Sequence, residues 1–264
     1  MQLGTDKMIA RKEGGIGWVI FNNPERRNAV SLEMWQAVGE IFDAYEKDDE
    51  VRVAVMKGAG DKAFVSGADI SQFEERRNNA DAAEEYARIS GASQAKMAGF
   101  SKPLVAMIRG FCIGGGLATA MRADIRIAAD DAQFAIPAAR LGLAYNEASV
   151  AALVSLVGPA VASEILFTAR RYNAQEALQV GLVNRVVAVD ALEATVREIA
   201  DRIAENAPLT VKTSKVTIKE ALKSAPERDR ARLDALMRQC MDSQDYAEGR
   251  RAFMEKRKPA FVGR

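Results

Sequence analysis

Three consecutive glycines, Gly114, Gly115 and Gly116, interrupt the stretch IRGFCIGGGLATAMRAD (108–124) between an apolar run and a helical pattern. Glycine has no Cβ, so the backbone can come close to a neighbour or a ligand. A helix starting there presents its first N–H groups, the positive end of its dipole. Such a junction suits a developing negative charge, and it equally suits tight packing of a helix on a strand. The triplet alone leaves both uses open. It is neither G-x-G-x-x-G nor G-x-x-x-x-G-K-[ST], so dinucleotide and nucleotide-phosphate cradles lose ground. A second glycine turn lies at SGADI (66–70). Two amides from two such turns, converging on one oxygen, would form an oxyanion hole.

The surrounding pattern sets the fold class. GWVIFN (17–22) reads as a strand ended by the Asn23-Pro24 turn, and Ser31 caps a helix whose Leu32, Trp35, Val38, Ile41, Phe42 and Tyr45 share one face. VRVAVMKG (51–58) and AFVSGADI (63–70) are strands, the second bending at Gly67, and 71–99 is a polar, alanine-rich helical excursion. KPLVAMIRGF (102–111) returns as one strand, followed by the glycines, a helix through Met121, and strands at 124–129 and 132–136. Strand, strand, helix recurs, which predicts an α/β coil of ββα units over an open doubly wound sheet. Beyond residue 147 the pattern is helical: Pro159, Asp190, Pro208 and Pro226 each open a helix. Asn173 with Glu176 makes a capping box, and Gly181 ends that helix before the strand LVNRVV. We divide the chain at residue 200, with a core at 1–200 and a helical region at 201–264 whose surplus apolar faces imply subunit contacts. The basic tail AEGRRAFMEKRKPAFVGR reads either as a solvated helix end or as an arm toward a phosphate-bearing ligand.

Composition narrows the chemistry. There is no histidine among the 264 residues, which excludes Ser-His and Cys-His nucleophiles and His-containing zinc sites. Carboxylates, tyrosine, lysine, backbone amides and water remain. With 37 basic and 36 acidic residues the net charge is +1, and the arginines at 76, 77 and 88 are interleaved with acids, so no nucleic-acid track is expected. Cys112 and Cys240 stand far apart and read as small hydrophobes of a reducing compartment. No signal-like segment opens the chain and no run is read as reaching the ~20 apolar residues of a membrane span. A cytoplasmic protein without a membrane partner is expected.

Taken together, NNPERRNAVS, AFVSGADI, KPLVAMIRGFCIGGGLATAMRADIRIAADDAQFAIPAARLGL and AFMEKRKPAF resemble the crotonase superfamily, the enoyl-CoA hydratase and isomerase group. The match runs in order from about residue 9 to the C-terminus. The resemblance implies a spiral of ββα turns followed by a helical trimerisation region, in a trimer or a dimer of trimers. It also implies an acyl-CoA thioester as substrate and no separate cofactor. Carried over by position, the oxyanion hole would be the amides of Ala68 and Gly115. The adenine and its neighbouring phosphate would lie along Ser66, Gly67, Ala68, Asp69 and Ile70, with Phe253 and Lys256 of the tail joining from the same or another subunit.

At two positions the chain departs from the family's hydratases. Their two catalytic glutamates fall on Ala118 and Ala138. General acid–base groups contribute ~10²- to 10⁴-fold each, so efficient hydration is not expected. Tyr145 and Glu147 are the polar candidates in their place. Leu-Gly-x-x-Tyr-Asn resembles the methylmalonyl-CoA decarboxylase branch, in which the tyrosine helps hold the departing carboxylate, although that branch has a histidine where this chain has Ala68. Dienoyl-CoA isomerases carry an aspartate at the place of Asn146 and acids at the two alanines. The other reading is an acyl-CoA-binding subunit without catalysis. Each candidate also has a structural use: Glu147 as a helix cap, Asp69 as a brace of its turn, Tyr145 as pocket lining.

Overall fold

In the computed structural model, Trp18 and Val19 are both fully buried although neighbouring side chains on a strand point to opposite faces. The strand must therefore be covered on both sides, as parallel sheets are. The structure describes residues 1–69 and 80–264, with backbone only for 80–83. The arginines at 76 and 77, and Ile70, lie outside the described residues.

The first sheet holds β1 (Met8–Glu13), β2 (Ile16–Phe21), β3 (Val53–Gly58), β5 (Leu104–Ile108), β7 (Ile125–Ala129) and β10 (Arg185–Val187), in that order. β1 and β2 form an antiparallel hairpin; all other pairings in this sheet are parallel. A second sheet runs β4 (Ala63–Val65), β6 (Phe111–Ile113), β8 (Gln133–Ala135) and β9 (Tyr172–Asn173), parallel except at β9. Each winding of the chain leaves one strand in the first sheet and the next in the second: β3 then β4, β5 then β6, β7 then β8. This is the coil that the recurrent strand pairs predict.

Alternate side chains of β2 divide the core. Val19 and Phe21 join Met34, Val38, Ile41 and Phe42 of α1 (Leu32–Lys47), while Trp18 and Ile20 meet Leu192, Val196 and Ala200 of α6 (Leu192–Glu205) on the other face. The α1 face is the one its spacing predicts, and Met34 N donates to the capping Ser31 Oγ at 3.4 Å. α2 (Ala80–Gly99) packs on α1, with Trp35 Nε1 donating to Tyr86 Oη at 3.2 Å. Asn173 and Glu176 form the expected capping box on α5 (Ala174–Gln179).

One strand was left unread in the sequence, and three readings are corrected. β1 carries Arg11, Lys12 and Glu13 on an edge and so shows no apolar run. The run 102–111 belongs to two strands in two sheets, because the chain turns at Gly110 (φ 61°). Pro226 opens only a 3₁₀ turn (Ala225–Glu227), and α8 (Arg230–Met241) starts at the Asp229 cap. Finally, α4 (Glu147–Thr168) is a 22-residue helix long and apolar enough to cross a bilayer. No run of that length is expected from the sequence; Gly158, with non-helical φ 74° and ψ 166° ahead of Pro159, divides it into two shorter helical pieces.

α6 continues through residue 200 and closes the face of the first sheet. Helices α7 (Pro208–Ala221), α8 and α9 (Gln244–Glu255) follow, leaving Ile218, Leu222, Met241, Phe253 and Met254 exposed.

Candidate active site

β4 and β6 are parallel neighbours, with Ala63 opposite Phe111 and Val65 opposite Cys112, so the turns leaving their C-terminal ends lie side by side. The first turn passes through Gly67 at φ 114° and the second through Gly114 at φ 55°, which starts α3 (Gly115–Ala120). A Cβ built on Gly115 would stand 3.7 Å from the amide nitrogen of Ala68, and one built on Gly67 would stand 3.9 Å from the nitrogen of Gly115. The two turns predicted to converge are in contact.

The hydrogen bonds around these amides leave both donors open. Val30 N donates to Gly67 O at 2.8 Å and Asp69 N donates to Val30 O at 3.0 Å. That ladder uses the groups on either side of Ala68 and turns its own N–H to the opposite side. Gly114 N donates to Ala135 O at 2.7 Å, and Ala118 N closes the first helical bond to Gly114 O at 3.0 Å. Gly115 N belongs to the first turn, where no intrahelical acceptor exists. Among the described residues neither N–H finds an acceptor.

The glycines of the triplet have separate reasons. At Gly116 a Cβ would fall 1.9 Å from the Val65 carbonyl oxygen, an impossible approach, so this residue serves helix–strand packing. At Gly115 a Cβ would meet only ordinary contacts of 3.7 Å or more. Protein packing does not require its bareness, and the space it leaves adjoins the Ala68 amide.

Ala118 and Ala138 are buried in one apolar cluster with Cys112, Leu117 and Leu153, against which Tyr145 packs. Burial pushes the Tyr145 phenol up to about 12, so it stays a neutral donor through the physiological range. The Cys112 thiol is likewise pushed up by burial. Asn146 caps α4, accepting from Ser149 N at 2.9 Å, and Glu147 is exposed in the first turn. The capping task considered for Glu147 thus belongs to Asn146. Asp69 is buried and paired to Arg26 at 3.1 Å, so it braces its turn through an ion pair, where backbone hydrogen bonds were the expected means. Ser66 N donates to Arg27 O at 3.1 Å.

Arg26 and Asn28 were missed in the sequence. Asn28 is fully buried, accepts from Asn23 N and donates to the carbonyls of Ala59 and Ala63, tying the 23–30 loop beneath β4. Their signal was the polar NNPERRN run, which reads as an ordinary turn. Phe253 is 82% exposed on α9, and Lys256 caps that helix at φ 54°. No contact between either residue and the 66–69 turn is found among the described residues of the single chain.

A turn-to-turn amide pair on a spiral of ββα windings defines a crotonase-type architecture, and the comparisons agree. The family described as Enoyl-CoA hydratase/isomerase matches residues 11–264. The chain is 34% identical to a short-chain-enoyl-CoA hydratase of Clostridium acetobutylicum over 96% of each chain. It is 35% identical to a carnitinyl-CoA dehydratase of Proteus mirabilis, over 95% of this chain and 96% of that one. A crystal structure described as an enoyl-CoA hydratase/carnithine racemase from Magnetospirillum magneticum superposes with a TM-score of 0.93 at 38% identity, covering 99% of this chain and 97% of the other. The protein belongs to the enoyl-CoA hydratase/isomerase family of the crotonase superfamily, whose members act on acyl-CoA thioesters.

Proposed function

We propose that this enzyme binds an acyl-CoA with its thioester oxygen between the N–H groups of Ala68 and Gly115 and stabilises the enolate form of the acyl group. The observation that carries this reading is the contact of the two turns, with the space left by Gly115 3.7 Å from the Ala68 nitrogen. A donor of this kind, aimed at developing charge in a dry site, is worth about 3 kcal/mol of transition-state stabilisation. The adenine and its neighbouring phosphate would lie along Ser66 to Asp69, with Phe253 and Lys256 contributing from the tail.

The same geometry favours loss of CO₂ over hydration. A hydratase must activate water, and the positions that the family resemblance assigns to its glutamates are Ala118 and Ala138, both buried among apolar side chains. Decarboxylation of a 2-carboxyacyl thioester needs no base to form the enolate: the bond from Cα to the carboxylate breaks and its electron pair passes to the thioester oxygen. The Cα then takes a proton from water. Tyr145, neutral and half-buried, would donate to the carboxylate, with Glu147 at the mouth.

Mass-spectrometric assay of malonyl-, methylmalonyl-, crotonyl- and 3-hydroxyacyl-CoA tests this. Release of CO₂ from a 2-carboxyacyl ester, with crotonyl-CoA turned over far more slowly, is the expected result. Binding of every ester with turnover of none would support the second reading, an acyl-CoA-binding subunit, which the two buried alanines also favour. We further propose a homotrimer or dimer of trimers built through the apolar residues exposed on α7, α8 and α9 within 201–264, checked by light scattering on the eluting protein.

A further inference from the structure

The last residues of the chain fold back along α9 and are held there by two carboxylates, Asp245 and Glu248. Asp245, 2% exposed, accepts from Val262 N at 2.7 Å and Gly263 N at 2.9 Å. Glu248 accepts from the Arg257 guanidinium at 2.5 and 3.0 Å, from Arg251 at 2.6 Å and from Ala260 N at 3.1 Å. Gln244 N adds a bond to Arg264 O at 2.8 Å. Between these anchors lies the turn that ends the helix: Lys256 is left-handed, its N–H donates to Phe253 O at 3.3 Å, and Arg257 N donates to Ala252 O at 3.0 Å.

Asp245 stands in the first turn of α9, where a carboxylate also suits the helix dipole, and Glu248 follows one turn later. Their oxygens are nonetheless taken up by groups beyond the helix end: Arg257 and Ala260 N on Glu248, Val262 N and Gly263 N on Asp245. The turn they fix carries Phe253 and Lys256 into solvent, and among the described residues the Lys256 ammonium forms no ion pair. The backbone is ordered from both sides while the two side chains at its apex stay unengaged. That is the arrangement of a preorganised contact, which avoids an ordering cost on binding.

We infer that Glu248, with Asp245, is a positioning residue that presents Lys256 and Phe253 to the nucleotide end of the coenzyme A thioester. The inference rests on the proposed function, in which those two side chains meet the coenzyme.

Calorimetric titration of the full-length protein with butyryl-CoA and with S-butyryl-pantetheine, which lacks the nucleotide, separates the possibilities. Glu248→Gln is expected to weaken butyryl-CoA about tenfold, the loss of one charge-assisted bond, and to leave S-butyryl-pantetheine within about twofold. Equal losses for both ligands, or none for either, overturn the inference. Should Glu248→Gln fail to fold, Asp245→Asn at the other anchor is held to the same comparison. Lys256→Ala separates the layers: if it binds butyryl-CoA as tightly as the parent, the tail does not meet the coenzyme and both readings of it fail. If Lys256→Ala weakens binding and Glu248→Gln does not, the clamp alone is refuted.

Discussion

The Asp69 carboxylate lies 3.1 Å from the Arg26 guanidinium, buried on its own side and half exposed on the arginine's. This pair joins the loop before α1 to the turn that carries the Ala68 amide, so it holds one of the two proposed oxyanion donors from outside the site. Arg26→Ala is expected to cost about 1 kcal/mol in stability, as partly exposed pairs do, and to weaken butyryl-CoA binding several-fold. Thermal melting and calorimetry read the two effects; unchanged binding would mean that the turn holds its shape without the pair.

Gly115 and Gly116 should respond differently to the same substitution. Gly116→Ala drives a methyl into the Val65 carbonyl and is expected to cost about 3 kcal/mol or more. Gly115→Ala meets no such atom and should shift the melting temperature by less than about 4 °C, yet abolish binding of the thioester because the methyl fills the space beside Ala68 N. A Gly115→Ala protein that binds butyryl-CoA normally would place the thioester oxygen elsewhere.

Restoring acids tests whether the rest of a hydratase site persists. The double substitution Ala118→Glu and Ala138→Glu should raise crotonyl-CoA hydration by about 10²-fold or more, followed by the loss of enoyl absorbance. Both side chains enter an apolar cluster, so each also lowers stability. Folded double-variant protein with no gain in rate would show that the alanines do not occupy the acid–base positions.

Alkaline pH should unfold the protein through its tyrosines. Burial raises the phenols of Tyr45 and Tyr145 from 10.0 to about 12. Ionisation is disfavoured in the folded chain, so the stabilisation is complete below pH 10, the unfolded value, and is lost as pH rises toward 12. For the well-buried Tyr45 this amounts to about 3 kcal/mol. Denaturant midpoints should stay level from pH 8 to about 10 and fall beyond it, and Tyr45→Phe should flatten that fall.

Much of the fold was legible because its signals are local. The 3.6-residue spacing of Trp35, Val38, Ile41 and Phe42, the Ser31 cap and the Asn173–Glu176 box each act within a few residues of one another. What escaped was decided at a distance. β1 was hidden because an edge strand needs only one apolar face. The 102–111 run looked single because apolar residues continue on both sides of Gly110, although Leu104–Ile108 and Phe111 lie in different sheets. In the tail, the sequence offered Phe253 and Lys256 as candidates, but not the carboxylates that hold their turn.

Residue order alone settled the family, the repeating strand–strand–helix windings, the lack of any imidazole and the small residues at 115, 118 and 138. Tertiary structure decided which glycine packs and which stands open, that Asn146 rather than Glu147 caps α4, and that Ala68 and Gly115 become neighbours. The physical reason is that a helix or a cap is satisfied by hydrogen bonds within one segment. Two amides from segments nearly fifty residues apart meet only when parallel pairing of β4 and β6 brings their ends side by side.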